Sequence, residues 1–305
     1  MKTIFLTSLL CIVFLSAQDN DTTCLESSLS NTTLSLKEEA ISDIQRKEQY
    51  FDMYLNEYTD NETRNTVFQV SGSLFNIDPY KSNYFLPITY DFIGHQGRQN
   101  AEAMFQISLK KNMLYNFLGF GESMSIAYTQ RSWWQIYKHS SPFRETNYLP
   151  EVYMSIPWYN NKSPIKNYKF GFIHESNGQP EGNSRSWNRL YLDVVMQYSG
   201  VFINPRVWYR VPERAEDDDN RDILDYMGYG DLTIIYPYKE QLFKLFLRNN
   251  FDFDENRYAV QFDWTFPLAK NGVFGHVQYF DGYGESLIDY NVKTRRAGIG
   301  LSLSR

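Results

Sequence analysis

From about Tyr84 onward this chain is written in segments of roughly ten residues that alternate apolar and polar side chains. In Tyr258-Ala259-Val260-Gln261-Phe262-Asp263-Trp264-Thr265-Phe266 every even position is large and apolar, and the odd ones are small or polar. Ala297, Ile299, Leu301 and Leu303 alternate in the same way with Gly298, Gly300, Ser302 and Ser304, and Phe243, Leu245 and Leu247 do so more weakly with Lys244, Phe246 and Arg248. Successive side chains of a strand point to opposite faces, so a period of two marks a strand between two different environments. About twelve such segments can be counted, near 84–94, 100–112, 122–137, 145–158, 166–177, 184–199, 201–212, 226–237, 240–251, 256–267, 272–283 and 292–304. With its connection each takes about 18 residues, which suits tilted membrane-spanning strands.

An even number of strands closes an up-and-down barrel and leaves no unpaired edge in lipid. The expected fold is therefore all-β, a twelve-stranded antiparallel transmembrane barrel with a polar N-terminal extension. Past the N-terminus no apolar run approaches the roughly 20 residues of a spanning helix, which excludes a helical membrane protein. Aromatic residues reach 17%, and Trp133-Trp134, Trp158, Trp208-Tyr209 and Tyr279-Phe280 near segment ends fit interfacial girdles. A soluble β-sandwich remains the alternative for the alternation alone. With 30 Lys+Arg against 36 Asp+Glu the formal charge is −6, so there is no basic footprint for a nucleic-acid partner.

The N-terminus reads as a secretory signal over residues 1–17: Lys2 supplies the positive start, Ile4 to Leu15 the apolar stretch, and Ser16-Ala17 small residues for cleavage. Cys11 lies within it, which leaves Cys24 alone and the mature chain without an internal disulfide. Residues 18–65 are polar and charged, with a helical stretch around Leu36 to Leu55. They read as an N-terminal extension, partly ordered or partner-binding. Residues 66–305 are assigned to the barrel.

One stretch gathers a nucleophile, a base and an orienting group: Phe170-Gly171-Phe172-Ile173-His174-Glu175-Ser176-Asn177-Gly178, a polar run to Asn183, then Ser184-Arg185-Ser186-Trp187-Asn188-Arg189-Leu190-Tyr191. His174 and Ser176 are two apart on a strand and share a face. The run from Gly178 to Asn183 is a turn signal. Antiparallel pairing about its centre sets Asn188 opposite His174 and Ser186 opposite Ser176, close enough for Asn188 to orient the imidazole while His174 deprotonates Ser176. His174 and Ser176 share parity with Phe170 and Phe172, and Asn188 with Leu190, Leu192, Val194 and Met196. In a barrel that apolar face looks at lipid, and the polar groups at the hairpin end lie at headgroup depth, where phospholipid is the substrate within reach. His-x-Ser by itself is an ordinary surface pair; the agreement of spacing, pairing and facing is what distinguishes it. His95, His139 and His276 form no metal-ligand spacing, and no Gly-x-Ser-x-Gly elbow is present. Gln130 shares its face with Met124, Ile126, Tyr128 and Trp134, and a polar amide in lipid is costly unless paired, either across an interface or by reaching water.

At this hairpin the chain resembles the outer-membrane phospholipase A family, the calcium-dependent bacterial lipase barrels. The resemblance is carried by the His174–Gly178 and Ser184–Tyr191 segments together with Tyr226-Met227-Gly228-Tyr229 and Gly282-Tyr283-Gly284-Glu285-Ser286-Leu287-Ile288-Asp289-Tyr290-Asn291. It is carried also by Tyr128-Thr129-Gln130, Ser132-Trp133-Trp134-Gln135 and Ser140-Ser141-Pro142-Phe143-Arg144-Glu145-Thr146-Asn147-Tyr148. It runs from about Tyr80 to near the C-terminus.

The family implies a bacterial outer-membrane barrel that hydrolyses acyl esters of phospholipids and lysophospholipids as a phospholipase A1/A2, with Ca2+ as cofactor. By motif position Ser176 would be the nucleophile, His174 the base and then acid, and Asn188 the orienter. Backbone N–H groups near Ser176 and Gly178 would receive the oxyanion. The implied calcium ligands are the Ser184 hydroxyl, the Gln179 backbone carbonyl (an arginine is usual at that position) and, from a second subunit, Ser140. The active form would be a homodimer joined along lipid-facing sides with Gln130 in the interface. Asp217-Asp218-Asp219, with Glu181, form either a second calcium site or a solvated acidic turn. The chain ends Leu303-Ser304-Arg305, without a terminal aromatic. A non-catalytic barrel, a pore or adhesin, and a soluble secreted β-protein are the competing readings.

Overall fold

The computed structural model describes residues 77–305 except 161, 181 and 269–271. The signal segment, the extension over 18–65 and the start of the barrel assignment at 66 lie outside the described residues. The elements are β1 (Asp78–Pro79), β2 (Asn83–Asp91), β3 (Ala101–Tyr115), β4 (Ser123–Trp134), β5 (Phe143–Pro157), β6 (Ile165–Ser176) and β7 (Ser186–Tyr198). They continue as β8 (Val201–Val211), a short helix α1 (Ile223–Met227), β9 (Gly230–Tyr238), β10 (Gln241–Asn249), β11 (Tyr258–Pro267), β12 (Phe274–Gly282) and β13 (Thr294–Ser304).

Each strand from β2 to β13 pairs antiparallel with its sequence neighbours, and β13 returns to pair with β2 through contacts such as Arg296↔Asp91 and Ile299↔Ile88. The sheet is thus a closed twelve-stranded barrel. The two-residue β1 lies beside β3 at Asp78↔Lys110, past the point where β2 begins. Closure satisfies the backbone groups that an open sheet would expose to hydrocarbon. The connections alternate in length around the wall: residues 199–200 and 239–240 are tight turns at one end, whereas 92–100, 177–185, 212–229 and 283–293 are long loops at the other.

Burial follows the alternation. On β6, Phe170 is 54% exposed on the outer wall while Ile173 is 3% exposed within. The same alternation corrects the reading of paired aromatics as girdle residues. Trp134, Tyr209 and Tyr279 do face outward, but their neighbours Trp133, Trp208 and Phe280 are buried inside, because consecutive residues of a strand cannot share a face.

The interior is packed, and much of it is polar. Glu102 accepts from Arg144 and pairs with Arg296, and Arg144 and Arg98 converge on Asp289. Asp263 accepts from His276 and Gln278. Toward the long-loop end α1 and the 283–293 loop close the lumen, Ile223, Met227, Leu287 and Tyr290 packing on Ile173, Trp187, Tyr191 and Trp208. The Tyr290 hydroxyl donates to Asp222, and burial together with that carboxylate holds the phenol well above its usual range. This plug lies behind the wall formed by β6 and β7.

Candidate active site

The β6–β7 hairpin has the register expected of it: His174 lies opposite Asn188, and Ser176 opposite Ser186. His174 and Ser176 share parity with the outward Phe170 and Phe172, and Asn188 with the outward Leu190 and Leu192. The three polar side chains therefore stand on the outer wall, at the long-loop end. Behind them the inward residues form a strut: Glu175 accepts from the Trp187 indole at 2.9 Å and from Arg189 at 2.6 Å, and the Arg189 guanidinium lies 3.8 Å from the Trp187 ring centroid. Aromatic packing and a buried ion pair fix the hairpin from within, so the outward groups project from a stiff surface.

His174 Nδ1 and Asn188 Oδ1 are 2.8 Å apart, and Asn188 Nδ2 donates to Glu213 Oε1 at 2.9 Å. Among the described residues no hydrogen bond joins the Ser176 hydroxyl to His174. Such contacts are commonly long before a substrate is in place. The structure thus unites His174 with Asn188 and sets Ser176 on the same face, one strand repeat nearer the loop.

The 177–185 loop begins at Asn177, which is 3% exposed and points inward. Its side chain gathers both ends of the loop: Nδ2 donates to the Asn183 carbonyl at 2.8 Å, and Oδ1 accepts from the N–H groups of Arg185 at 2.9 Å and Gln179 at 3.3 Å. The buried Glu145 accepts from Asn177 Nδ2 at 3.5 Å and from the Ile288 N–H at 3.1 Å, joining the hairpin loop to the plug. Gly178 has φ +63°, and a Cβ there would lie 3.2 Å from the Tyr148 ring. Both the backbone conformation and the close approach call for glycine.

Two of the expected calcium ligands, Gln179 and Ser184, flank this clip. Neither the Gln179 carbonyl nor the Ser184 hydroxyl is engaged in a hydrogen bond among the described residues, so both oxygens are available to a hard cation, whose coordination neutral oxygens and water can complete. The donor set fits calcium in chemistry, with the third protein oxygen to come from elsewhere. Ser140 is exposed in the 135–142 loop at the same end, with a left-handed backbone (φ +64°) and its hydroxyl 3.1 Å from His139 Nδ1. In the acidic turn, Asp218 is engaged by Arg210 at 2.7 Å and by the Asn220 N–H. Glu181 lies outside the described residues, among which no three His, Cys, Asp or Glu gather as a metal cluster.

Gln130 stands on the outer wall of β4, opposite Tyr148 on β5, which in turn lies opposite Ser176 on β6. The row Gln130, Tyr148, Ser176 and Ser186 thus crosses four strands at one level, and two interstrand steps separate Gln130 from Ser176, roughly 10 Å. The Gln130 amide has partners in its own strand, accepting from Tyr128 at 3.1 Å and donating to Ser132 at 3.3 Å.

Sequence reasoning about the hairpin passes over Asn177, Glu145 and Glu213. Asn177 carries a weak signal, a polar residue of inward parity beside a glycine. Glu213 carries none within the hairpin, since it reaches Asn188 from beyond the end of β8.

Comparison with known proteins bears on the whole arrangement. The family model described as "Phospholipase A1" matches residues 59–303. A relative named phospholipase A1 from Klebsiella pneumoniae is 34% identical, the match covering 78% of this chain and 86% of that protein. The structure of outer membrane phospholipase A from Escherichia coli superposes with a TM-score of 0.70 at 31% identity, covering 75% of this chain and 99% of that one. The Salmonella typhi outer membrane phospholipase, solved as a dimer with bound calcium, gives a TM-score of 0.68 at 31% identity over 75% of this chain and 93% of that one.

Proposed function

The chain belongs to the phospholipase A1 family, and on that premise we propose that this outer-membrane barrel hydrolyses acyl esters of phospholipids and lysophospholipids with a triad of Ser176, His174 and Asn188. The most direct support is the 2.8 Å contact between His174 Nδ1 and Asn188 Oδ1 on the outer wall, with Ser176 on the same face. A triad so placed meets the ester where a glycerophospholipid carries it, at the boundary between headgroup and acyl chain.

In this reaction Asn188 accepts the Nδ1–H of His174 and leaves Nε2 free as base. As Ser176 Oγ bonds to the ester carbonyl carbon, Nε2 takes the hydroxyl proton. The carbonyl oxygen, now negative, is received by backbone N–H groups at Ser176 and Gly178. His174 then returns the proton to the departing glycerol oxygen, the C–O bond breaks, and the acyl group remains on Ser176. Water, deprotonated by His174, then bonds to the acyl carbon; the bond from that carbon to Ser176 Oγ breaks as His174 returns the proton to Oγ, and the fatty acid leaves with the serine hydroxyl restored. Ser184 and the Gln179 carbonyl, with Ser140 of a second copy, would hold calcium, which when bound supplies positive charge opposite the developing oxyanion.

The calcium-bound dimer of the Salmonella relative and the Gln130–Ser176 row support an active homodimer. In it two outer walls meet and Gln130 faces the partner beside an acyl-chain groove that one convex wall does not form. Hydrolysis by purified protein in mixed phospholipid–detergent micelles, with calcium and with chelator, tests the assignment. Ser176→Ala should abolish fatty-acid release while the barrel folds as before, and undiminished release by that variant would overturn the triad.

A further inference from the structure

We infer that Glu213 is a positioning residue of this site, acting through Asn188 to set the proton arrangement of His174; the inference rests on the triad reading above. A side-chain amide can be turned either way round, and with the amino group toward the imidazole it would stabilise the wrong tautomer. The 2.9 Å contact between Asn188 Nδ2 and Glu213 Oε1 removes that ambiguity. A carboxylate only accepts hydrogen bonds, so the amino group must face Glu213 and Oδ1 must face His174. Oδ1 in turn accepts only from an N–H, which places the neutral imidazole's proton on Nδ1 and leaves the Nε2 lone pair for Ser176.

The carboxylate also draws charge through the amide. Hydrogen bonds in a chain polarise one another, so an amide that donates to an anion is a better acceptor at its oxygen. That matters in the transition state, where His174 is an imidazolium and its orienter is uncharged.

The fold delivers Glu213 to this place by parity and register. Asn188 lies opposite Val211 on β8, and Val207 and Tyr209 of the same parity are exposed on the outer wall. Glu213 follows two residues after Val211, past Pro212, whose ring restricts the backbone there. It is thus diagonal to Asn188, within the reach of a long side chain.

The test measures kcat and KM for wild type, Glu213→Gln and Glu213→Ala, each also in an Asn188→Ala background, in calcium-containing micelles. Glu213→Ala should lower kcat about tenfold, as expected for one hydrogen bond to a charged group, with KM changed less than about twofold because the loss falls on the transition state. Glu213→Gln, which keeps an acceptor but not the charge, should fall between Ala and wild type. In the Asn188→Ala background neither substitution should cost anything further, since the path to His174 is already cut. Unchanged kcat in both single variants overturns the inference, and so does an undiminished Glu213 effect in the absence of the Asn188 amide. Ser176→Ala in the same assay separates the two readings: its inactivity with a neutral Glu213 sinks this inference alone, whereas its activity sinks the triad.

Discussion

Replacing Asn177 with Ala should slow lipid hydrolysis and raise the calcium concentration it requires, with little effect on barrel stability. The substitution removes the bonds to the Asn183 carbonyl and from the Arg185 N–H, at 2.8 and 2.9 Å, along with longer ones to Gln179 and Glu145. At about 1 kcal/mol net for each of the two firm bonds, the closed form of the 177–185 loop loses about 2 kcal/mol relative to open forms. Where closed and open forms are nearly balanced, that lowers the competent fraction on the order of fifteenfold. Gly178, Gln179 and Ser184 all belong to this loop, so oxyanion contacts and calcium affinity should weaken together. The assay is the initial rate of fatty-acid release across a calcium titration, beside a denaturant titration of the folded barrel. Asn177→Asp restores the acceptor for Arg185 and Gln179 but sets a second carboxylate against the buried Glu145, so it should recover little. A calcium curve and maximal rate within about twofold of wild type for Asn177→Ala would refute the clip, because the loop would then be holding itself closed.

Gly178→Ala should lower activity about tenfold while leaving the barrel's unfolding midpoint unchanged, because a left-handed residue with a Cβ costs roughly 1–2 kcal/mol and this Cβ would also press on Tyr148. Gln130→Leu should weaken dimerisation in detergent on the order of tenfold for each pair of membrane-buried hydrogen bonds lost; sedimentation that finds the same monomer–dimer balance would remove Gln130 from the interface. Glu175→Gln strips a buried arginine of its counter-charge and should destabilise the barrel by about 3 kcal/mol, read as a lower denaturant midpoint.

The fold was legible because a barrel wall imposes one rule on every strand. Each expected segment contains the greater part of a real strand, from 84–94 against β2 (Asn83–Asp91) to 292–304 against β13. The misses occur where the alternation stops meaning strand. The segment placed at 226–237 begins too early because Tyr226 and Met227 belong to α1, a helix of five residues, too short to show a helical period. Gly228, at φ +62°, ends that helix before β9 begins. The 122–137 segment runs too late because Gln135 and Ile136 turn away, the Gln135 N–H donating to the Pro142 carbonyl. Trp133 departs from the girdle expectation because parity, not aromatic character, decides which face of the wall a strand residue takes.

The placement of His174, Ser176 and Asn188 on one outer face of the β6–β7 hairpin follows from the same rule, since spacing, pairing and facing are all consequences of period two. Asn177 and Glu145 do not follow from it, since their roles come from contacts between the hairpin loop and the plug. The pairing of β7 with β8 that brings Glu213 to Asn188 lies outside the β6–β7 hairpin.

If Ser176, His174 and Asn188 act as the proposed triad, the choice of an amide as the third group follows from where they stand. A carboxylate at position 188 would stand on the lipid-facing wall, on the same face as Leu190 and Leu192, which are 38% and 43% exposed. An ionised side chain in that setting is costly unless it reaches water or a partner. Asn188 orients the imidazole without that cost but brings no charge. Glu213 lies in the connection that follows β8, at the end of the wall where headgroups and water can solvate a carboxylate. Through the Asn188 amide its negative charge acts on His174 while the carboxylate itself stays in the connection beyond β8. On this reasoning Asn188→Asp is not an improvement: it sets a second anion against Glu213, and like charges in contact favour protonating one of them. Coupled with Glu213→Gln, the same substitution relieves that repulsion, and the double variant should hydrolyse lipid faster than Asn188→Asp alone. Equal rates for the two would mean that Glu213 and position 188 do not interact in the working enzyme.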